Sequence, residues 1–193
     1  MTRLVILDRD GVVNQDSEDF IKSPEEFVPL PGSLEAIARL NAAGYSVAVA
    51  SNQSGIARGL FSEATLETMH QKLHDLLEAV GGHIDGIFYC PHGPDDHCDC
   101  RKPEPGLLRQ IGEHFGVDLA GVPVVGDSLR DLQSAMAVGA MPILVLTGKG
   151  EYTHRQLSNA PSLSATPVYA DLAQAVDVLL AGALSGDAHE DHH

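Results

Sequence analysis

The sequence predicts an α/β fold in which a parallel sheet is covered by helices on both faces. Short apolar runs alternate along the chain with helical patterns of about ten residues or more. Parallel strands need crossover connections, and the crossover helices then cover the faces of the sheet. The chain has 193 residues and 44% of them are hydrophobic, so we expect one domain with a well-buried core.

The predicted elements follow one another without an internal repeat. Each predicted strand is a short apolar run, such as RLVILD, that stops at a polar residue or a glycine. Each predicted helix repeats apolar residues three and four apart, as Leu34, Ile37 and Leu40 do before Gly44. The predicted strands are 3–8, 45–50, 84–89, 122–125, 142–146 and 168–170, and the predicted helices are 32–43, 62–80, 106–115, 129–138 and 172–180.

The domain organisation follows from these elements. We expect residues 1–184 to form a single three-layer, Rossmann-like domain. Residues 16–31 are polar and contain proline, so they are a predicted loop. The polar tail, residues 185–193, is predicted to be disordered.

The charge balance excludes several function classes. The formal net charge is -15 and the isoelectric point is near 4.8, and such a surface repels nucleic acid and anionic lipid. The first apolar run is short and interrupted by charge, which predicts neither a signal peptide nor a membrane span. Three clustered cysteines without a secretion signal favour a reducing compartment. We therefore expect a cytoplasmic protein with no nucleic-acid or membrane partner.

Polar motifs follow the predicted strands. DRDGVVN ends the first strand, SNQSG the second and GDSLRD the fourth, while the third leads to Arg101 and Lys102. In open parallel sheets, ligands bind beyond the carboxyl ends of the strands. Alone, D-x-D-G is most often a turn and GDSLRD a helix cap. Together and in order, they indicate a site for an anion and a divalent ion.

The residue types predict phosphoryl chemistry. Asp8 and Asp10 repel each other unless a cation neutralises them, and Mg2+ prefers such oxygen ligands, with Asp127 as a third. One aspartate is then a nucleophile and the other a general acid and base. Ser51 and Lys102 supply a hydroxyl and a fixed positive charge for the phosphoryl oxygens.

The loop CPHGPDDHCDC, residues 90–100, is a predicted zinc site. Its thiol and imidazole groups suit tetrahedral Zn2+, and four protein ligands leave no open position, so a structural ion is expected. His97 is a competing ligand, and free cysteines or a catalytic zinc are the alternatives. A fixed loop would present Arg101 and Lys102 to the site. The predicted ligands are Cys90, His92, Cys98 and Cys100.

The four motifs, DRDGVVN, SNQSG, RKP and GDSLRD, resemble those of the haloacid dehalogenase superfamily of phosphohydrolases over residues 4–150. The resemblance implies that Asp8 is the nucleophile and Asp10 the general acid and base, which binds Mg2+ through its backbone carbonyl. Asp131 resembles the second acid of the last motif. Few residues separate the motifs, so we expect a capless and monomeric enzyme.

A closer resemblance is to the histidinol-phosphatase-related subfamily, which includes heptose bisphosphate phosphatases of lipopolysaccharide-precursor synthesis. SGIARG favours a heptose bisphosphate over histidinol phosphate. Some heptose phosphatases carry lysine at the position of Ser128, which leaves that contact open. A DNA 3'-phosphatase and a non-catalytic zinc module are less favoured alternatives. The predicted substrate contacts are Asp16, Asp19, Asn52, Gln53, Ser54, Arg101 and Ser128.

Overall fold

A computed structural model describes residues 3–182 and contains one six-stranded parallel sheet. The strand order is β3-β2-β1-β4-β5-β6, which confirms the predicted fold class. The strands are β1 (Arg3–Leu7), β2 (Tyr45–Asn52), β3 (Gly86–Cys90), β4 (Pro123–Gly126), β5 (Met141–Val145) and β6 (Val168–Tyr169).

Helices cover both faces of the sheet. In β1 the side chains alternate, so Val5 and Leu7 enter one core cluster while Leu4 and Ile6 enter the other. The first cluster includes side chains of α1, α2 and α6, and the second includes side chains of α3 and α4. The α-helices are α1 (Ser33–Ala42), α2 (Glu63–Ala79), α3 (Gly106–Phe115), α4 (Leu129–Ala137), α5 (Gly150–Gln156) and α6 (Leu172–Leu180).

Several boundaries differ from the predicted ones for local reasons. Strand β2 continues to Asn52 because Ser51 and Asn52 pair with the end of β3. Strand β3 starts later than predicted, since the Asp85 carboxylate accepts a hydrogen bond from the backbone of Val47 instead of extending the strand. The segment GEYTHRQ of α5 lacks apolar periodicity, and its helix was not predicted.

Some connecting segments contain 3-10 turns. The predicted loop 16–31 contains a single 3-10 turn, Pro24–Glu26, and further 3-10 turns lie at Leu157–Asn159 and Pro161–Leu163. Within residues 3–182, no helix is both long and apolar enough to cross a membrane. The predicted disorder of residues 185–193 concerns a segment outside the described residues.

The sheet reverses its order at β1, and this places the crevice. Strand β1 lies between β2 and β4. Strands β2 and β3 are added on one side of β1, and β4, β5 and β6 are added on the other side. Such a switch point opens a crevice at the carboxyl edge. Gly11 lies there in the left-handed region, with φ of 91°, and a Cβ on it would lie 2.0 Å from Asp127 Oδ2. Only glycine therefore lets the turn after β1 approach the end of β4.

We expect Gly11→Ala to destabilise the protein more than Gly44→Ala. Both glycines have positive φ, so both variants carry a left-handed strain of roughly 1–2 kcal/mol. A Cβ at Gly44 meets nothing within 4 Å, whereas one at Gly11 overlaps Asp127 and adds about 1–3 kcal/mol. Urea unfolding of both variants measures the difference, and equal losses would contradict this role of Gly11.

Candidate active site at the carboxyl edge of the sheet

One pocket at the carboxyl edge collects most of the predicted site residues. Asp8 and Asp127 directly follow β1 and β4, and Ser51 and Asn52 end β2. Two predicted contacts lie elsewhere: Asp19 is exposed and Gln53 is buried beneath the pocket surface. The predicted residues that line the pocket are Asp8, Asp10, Asp16, Ser51, Asn52, Ser54, Arg101, Lys102, Asp127 and Ser128.

The ammonium of Lys102 lies at the centre of the site. Its side chain is buried, and Nζ donates to Asp8 Oδ1 at 3.1 Å, to Asp131 Oδ1 at 2.8 Å and to the Ala50 carbonyl at 2.6 Å. Burial alone would lower the pKa of Lys102, but Asp131 and Asp8 outweigh burial and raise it. Lys102 is therefore a permanent positive charge beside Asp8.

Asp131 holds Lys102 and closes the start of α4. Its Oδ2 accepts from the backbone N–H groups of Asp127 and Ser128, at 3.2 and 3.1 Å, while Oδ1 accepts from Lys102. Burial acts to raise the pKa of Asp131, but Lys102 and these N–H groups hold it below the usual value. Both oxygens are thus already engaged, and Ser128 forms the capping box with Asp131.

Asp8 and Asp127 form the place for a divalent cation. Their carboxylates lie, together with that of Asp131, within 4.8 Å of one another. Burial, followed by the charge of Asp131, raises the pKa of Asp8 well above its usual value and that of Asp127 to about 7. Two buried carboxylates with raised pKa values fit a hard cation that would neutralise them.

The loop after β5 completes the cation pocket. The backbone N–H of Lys149 donates to Asp127 Oδ2 at 2.9 Å, and Thr153 Oγ1 donates to the Asp127 carbonyl at 2.7 Å. The Thr147 hydroxyl donates to the Gly11 carbonyl at 2.7 Å, and Lys149 Nζ lies 3.4 Å from Asp16 Oδ2. Sequence reasoning did not assign Lys149 to the site, although it stands in a glycine-rich step directly after a strand.

Two residues of the second motif support their neighbours. Asn52 binds the backbone of Lys102 on both sides, because its Oδ1 accepts from the Lys102 N–H at 3.0 Å and its Nδ2 donates to the carbonyl at 3.3 Å. Gln53 Nε2 donates to Ser51 Oγ at 2.7 Å and approaches Asp10 Oδ2 at 3.3 Å. Asn52 thus fixes Lys102, and Gln53 links Ser51 to Asp10.

The predicted zinc ligands converge. Cys90 Sγ lies 3.6 Å from Cys98 Sγ and 2.7 Å from Cys100 Sγ, and His92 Nδ1 lies 3.5 Å from Cys90 Sγ. All four ligand atoms fall within 4.8 Å of one another, and the thiols are free. Burial raises the pKa of Cys90 and Cys100, whereas hydrogen bonds outweigh it at Cys98 and lower its pKa to about 7. This donor set fits tetrahedral Zn2+.

Three arginines lie at the rim of the pocket, and sequence reasoning identified only Arg101. The pKa of Arg101 is lowered, mainly by burial and then by the neighbouring charge of Arg130, with a smaller effect from Arg58. Within residues 3–182, no carboxylate forms an ion pair with any of the three. Like charges gathered in an acidic protein indicate an anion site. The signal available earlier was that Arg58 and Arg130 belong to SGIARG and GDSLRD.

Family models match two parts of the chain. A model described as HAD-hydrolase-like matches residues 99–175. A model described as polynucleotide kinase 3 phosphatase matches residues 4–130. Together they cover all four motifs.

Curated relatives and a solved structure agree with these models. The D-glycero-β-D-manno-heptose-1,7-bisphosphate 7-phosphatase of Pseudomonas aeruginosa is 56% identical over 92% of this chain and 97% of its own length. The enzyme of the same name from Escherichia coli K12 is 39% identical over 75% of this chain and 80% of its own. The crystal structure of the D,D-heptose 1,7-bisphosphate phosphatase from Bordetella bronchiseptica, complexed with magnesium and phosphate, has a TM-score of 0.89, 56% identity, and coverage of 94% and 99%.

We expect Mg2+ to bind more weakly at pH 6 than at pH 8. In the metal-free protein the pKa of Asp127 is about 7, while in the unfolded chain it is about 3.9. The folded state therefore holds the extra proton between these values, so this group lowers stability as pH rises through that window. Mg2+ must displace the proton, so calorimetry should give roughly tenfold tighter binding at pH 8.

The control is Asp127→Asn, which removes the proton to be displaced and a predicted ligand. It should bind Mg2+ weakly at both pH values. Equal affinity of the unaltered protein at the two pH values would contradict the predicted role of Asp127.

Proposed function

The chain belongs to the heptose bisphosphate phosphatases of the haloacid dehalogenase superfamily, and from that membership we propose that it hydrolyses the 7-phosphate of D-glycero-D-manno-heptose 1,7-bisphosphate. The family rests on 56% identity over nearly the whole of both chains. The proposed reaction is Mg2+-dependent phosphomonoester hydrolysis. We propose that this reaction belongs to lipopolysaccharide-precursor synthesis, as it does in the subfamily that the sequence resembles.

The observation that carries this proposal is that one pocket offers two anion-binding ends. At the inner end, Lys102 lies beside Asp8. At the rim, Arg58, Arg101 and Arg130 line the same pocket. A substrate with a phosphate at each end suits this arrangement, because arginine binds phosphate oxygens with paired hydrogen bonds. Histidinol phosphate has an imidazole and no phosphate at its far end, so it offers the arginines no anion to bind.

The described residues supply the steps of hydrolysis. Asp8 attacks the phosphorus, so that a P–O bond to Asp8 forms as the bond to the sugar oxygen breaks. Asp10 donates a proton to that leaving oxygen, then takes one from the water that hydrolyses the aspartyl-phosphate. Lys102 and the Ser51 hydroxyl stabilise the transferring phosphoryl oxygens. Asp8, Asp127 and the Asp10 carbonyl would hold Mg2+, which would supply positive charge to neutralise the nucleophile and the phosphoryl group.

The cysteine cluster is proposed to hold a structural zinc ion. Cys100 directly precedes Arg101 and Lys102, so a fixed metal site determines where these two cations lie. Ordering this loop on substrate binding would cost roughly 1 kcal/mol per residue, and a bound ion removes that cost beforehand. Arg101 also donates to the His92 carbonyl at 3.3 Å, which ties its side chain to the cluster.

A phosphate-release assay tests the proposed function. The substrates are the heptose 1,7-bisphosphate, histidinol phosphate and an oligonucleotide with a 3'-phosphate, each with Mg2+ and with EDTA. We expect kcat/KM for the bisphosphate to exceed the others by at least about 100-fold, since two charge-assisted contacts contribute about 1.5–3 kcal/mol each. The product should keep its 1-phosphate, and Asp8→Asn should be inactive.

Other outcomes of this assay have definite meanings. A higher kcat/KM for histidinol phosphate would reject the heptose assignment. A higher value for the oligonucleotide would favour the activity named by the family model that matches residues 4–130, although the net charge of -15 opposes nucleic-acid binding. Activity of Asp8→Asn would reject the aspartyl-phosphate route.

We expect Arg130→Gln to impair the bisphosphate selectively. Loss of one guanidinium contact to the distal phosphate should raise KM about tenfold with kcat nearly unchanged. The same variant should treat heptose 7-phosphate as the unaltered enzyme does, because that substrate lacks the distal phosphate. Arg109→Gln is the matched control, since Arg109 is exposed and lines a different groove. Equal losses on both substrates would contradict the proposed contact.

We expect Cys98→Ser to lose zinc and most activity while Mg2+ still binds. The remaining three ligands bind zinc less tightly, and the loop then presents Arg101 and Lys102 less accurately. Metal analysis measures the loss of zinc, the phosphate-release assay measures the loss of activity, and calorimetry measures the binding of Mg2+. His97→Asn is the control and should keep its zinc, because His97 is not among the clustered ligands. Full activity in zinc-free Cys98→Ser would reject the structural role.

A further inference from the structure

Buried contacts lead from helix α2 to the carboxylate of Asp10. Arg9 has an exposed fraction of 0%. Its Nε donates to Asp10 Oδ1 at 2.8 Å, and its Nη2 lies 2.7 Å from the same oxygen. Its other terminal nitrogen, Nη1, lies 3.2 Å from His70 Nε2. The Phe27 ring lies 5.3 Å from the guanidinium carbon. One side of the guanidinium therefore faces Asp10 and the other faces α2.

His70 is suited to hold this cation because its ring is neutral. Burial, and then the charge of Arg9, lower the pKa of His70 to about 3. The unprotonated Nε2 can thus accept from Arg9 Nη1, and the proton lies on Nδ1. A carboxylate at this position would compete with Asp10 for the guanidinium. A neutral acceptor can hold the Arg9 guanidinium in place without competing with Asp10 for its positive charge.

The position of His70 on α2 is otherwise an apolar one. The helix buries Leu66, Met69, Leu73 and Leu77 on the same face, where leucine would serve packing alone. A buried imidazole there costs free energy unless its nitrogen has a partner. Among residues 3–182, the recorded hydrogen-bond partner of His70 is Arg9. The imidazole of His70 is therefore accounted for by its contact with Arg9, since packing in the core does not require it.

The two oxygens of Asp10 are held unequally. Oδ1 accepts from Arg9 Nε at 2.8 Å and from Asn14 Nδ2 at 2.9 Å, and Arg9 Nη2 lies 2.7 Å from it as an ion pair. Oδ2 has one long contact, 3.3 Å from Gln53 Nε2. Because Oδ1 is occupied by donors, Oδ2 is the oxygen that can carry a proton.

We propose that His70 is a positioning residue for proton transfer: it holds Arg9, and Arg9 fixes the Asp10 carboxylate so that Oδ2 exchanges the proton. This inference rests on the proposed function for the role of Asp10 alone. The Oδ2 proton passes to the leaving sugar oxygen as its bond to phosphorus breaks. Oδ2 then takes a proton from the water that attacks the phosphoryl group on Asp8. Without His70, Nη1 is left with the Met69 sulfur at 3.9 Å, so the guanidinium can turn and Arg9 no longer fixes Oδ1, which keeps its bond from Asn14.

The test compares two leaving groups in the holoenzyme with Mg2+ and zinc bound. An alkyl phosphate needs a proton on its leaving oxygen, whereas 4-nitrophenyl phosphate releases a stable anion without one. We expect His70→Leu to lower kcat for the alkyl phosphate about tenfold, a part of the usual acid–base contribution, with KM within about twofold. The first-turnover burst of 4-nitrophenolate should change less than about twofold.

Two further variants separate positioning from packing. His70→Gln keeps a neutral acceptor for Arg9 and should restore most of kcat on the alkyl phosphate. His74→Leu makes the same change at an exposed histidine one turn further along α2, and it should leave both rates unchanged. Thermal unfolding checks that each variant is folded. If His70→Leu does not fold, His70→Met replaces it, because the flexible methionine side chain fills irregular space.

The outcomes decide the proposal. A selective loss on the alkyl phosphate that Gln restores supports it. Unchanged kcat in the apolar variant, equal slowing of both substrates, or no recovery in a folded His70→Gln would overturn it. If the unaltered enzyme does not hydrolyse the heptose bisphosphate, the proposed function fails, and the comparison is made with another alkyl phosphate that the enzyme hydrolyses.

Discussion

The site depends on the ion pairs that the buried ammonium of Lys102 forms with Asp8 and Asp131. Asp8, Asp127 and Asp131 crowd into one space at the carboxyl edge of the sheet, where burial and mutual repulsion raise the pKa of Asp8 and Asp127. Lys102 pairs with Asp8 and Asp131 together. A lone buried carboxylate is costly, but one that shares a buried cation and accepts backbone hydrogen bonds is stable. Lys102 therefore opposes the rise in the pKa of Asp8 and places a positive charge beside the nucleophile of the proposed mechanism.

The surroundings of Lys102 are built to keep it in place. Asn52, at the end of β2, binds both backbone groups of Lys102. The cysteine cluster lies immediately before it in the chain, and Asp131 anchors its side chain from the start of α4. Three separate parts of the fold thus converge on one residue. This convergence gives the cysteine cluster a place in the proposed active site, although the proposed chemistry is assigned to the aspartates.

The two working aspartates are held by different means, and this difference suits their roles. Asp8 faces a fixed cation and a second carboxylate, which favour a nucleophile and a metal ligand. Asp10 is paired with Arg9, whose guanidinium is shielded from water by Phe27 and α2. The arginines at the rim carry charge of the same sign in a more open setting, which suits recognition of a second phosphate. In the proposed function, one pocket thereby assigns the chemistry to the aspartates and substrate selection to the arginines.

The sequence by itself determined the succession of strands and helices along the chain, apart from α5, and the polar motifs that follow the strands, because these signals are local. Asp8, Asp127 and Lys102 were predicted on this basis, and the structure brings them together. Only the tertiary structure decided which oxygen each cation binds. His70 reaches Arg9, and Lys149 reaches Asp127, across parts of the chain that are distant in sequence. No local pattern encodes such contacts, since they depend on how α2, α4 and the loops pack against the finished sheet.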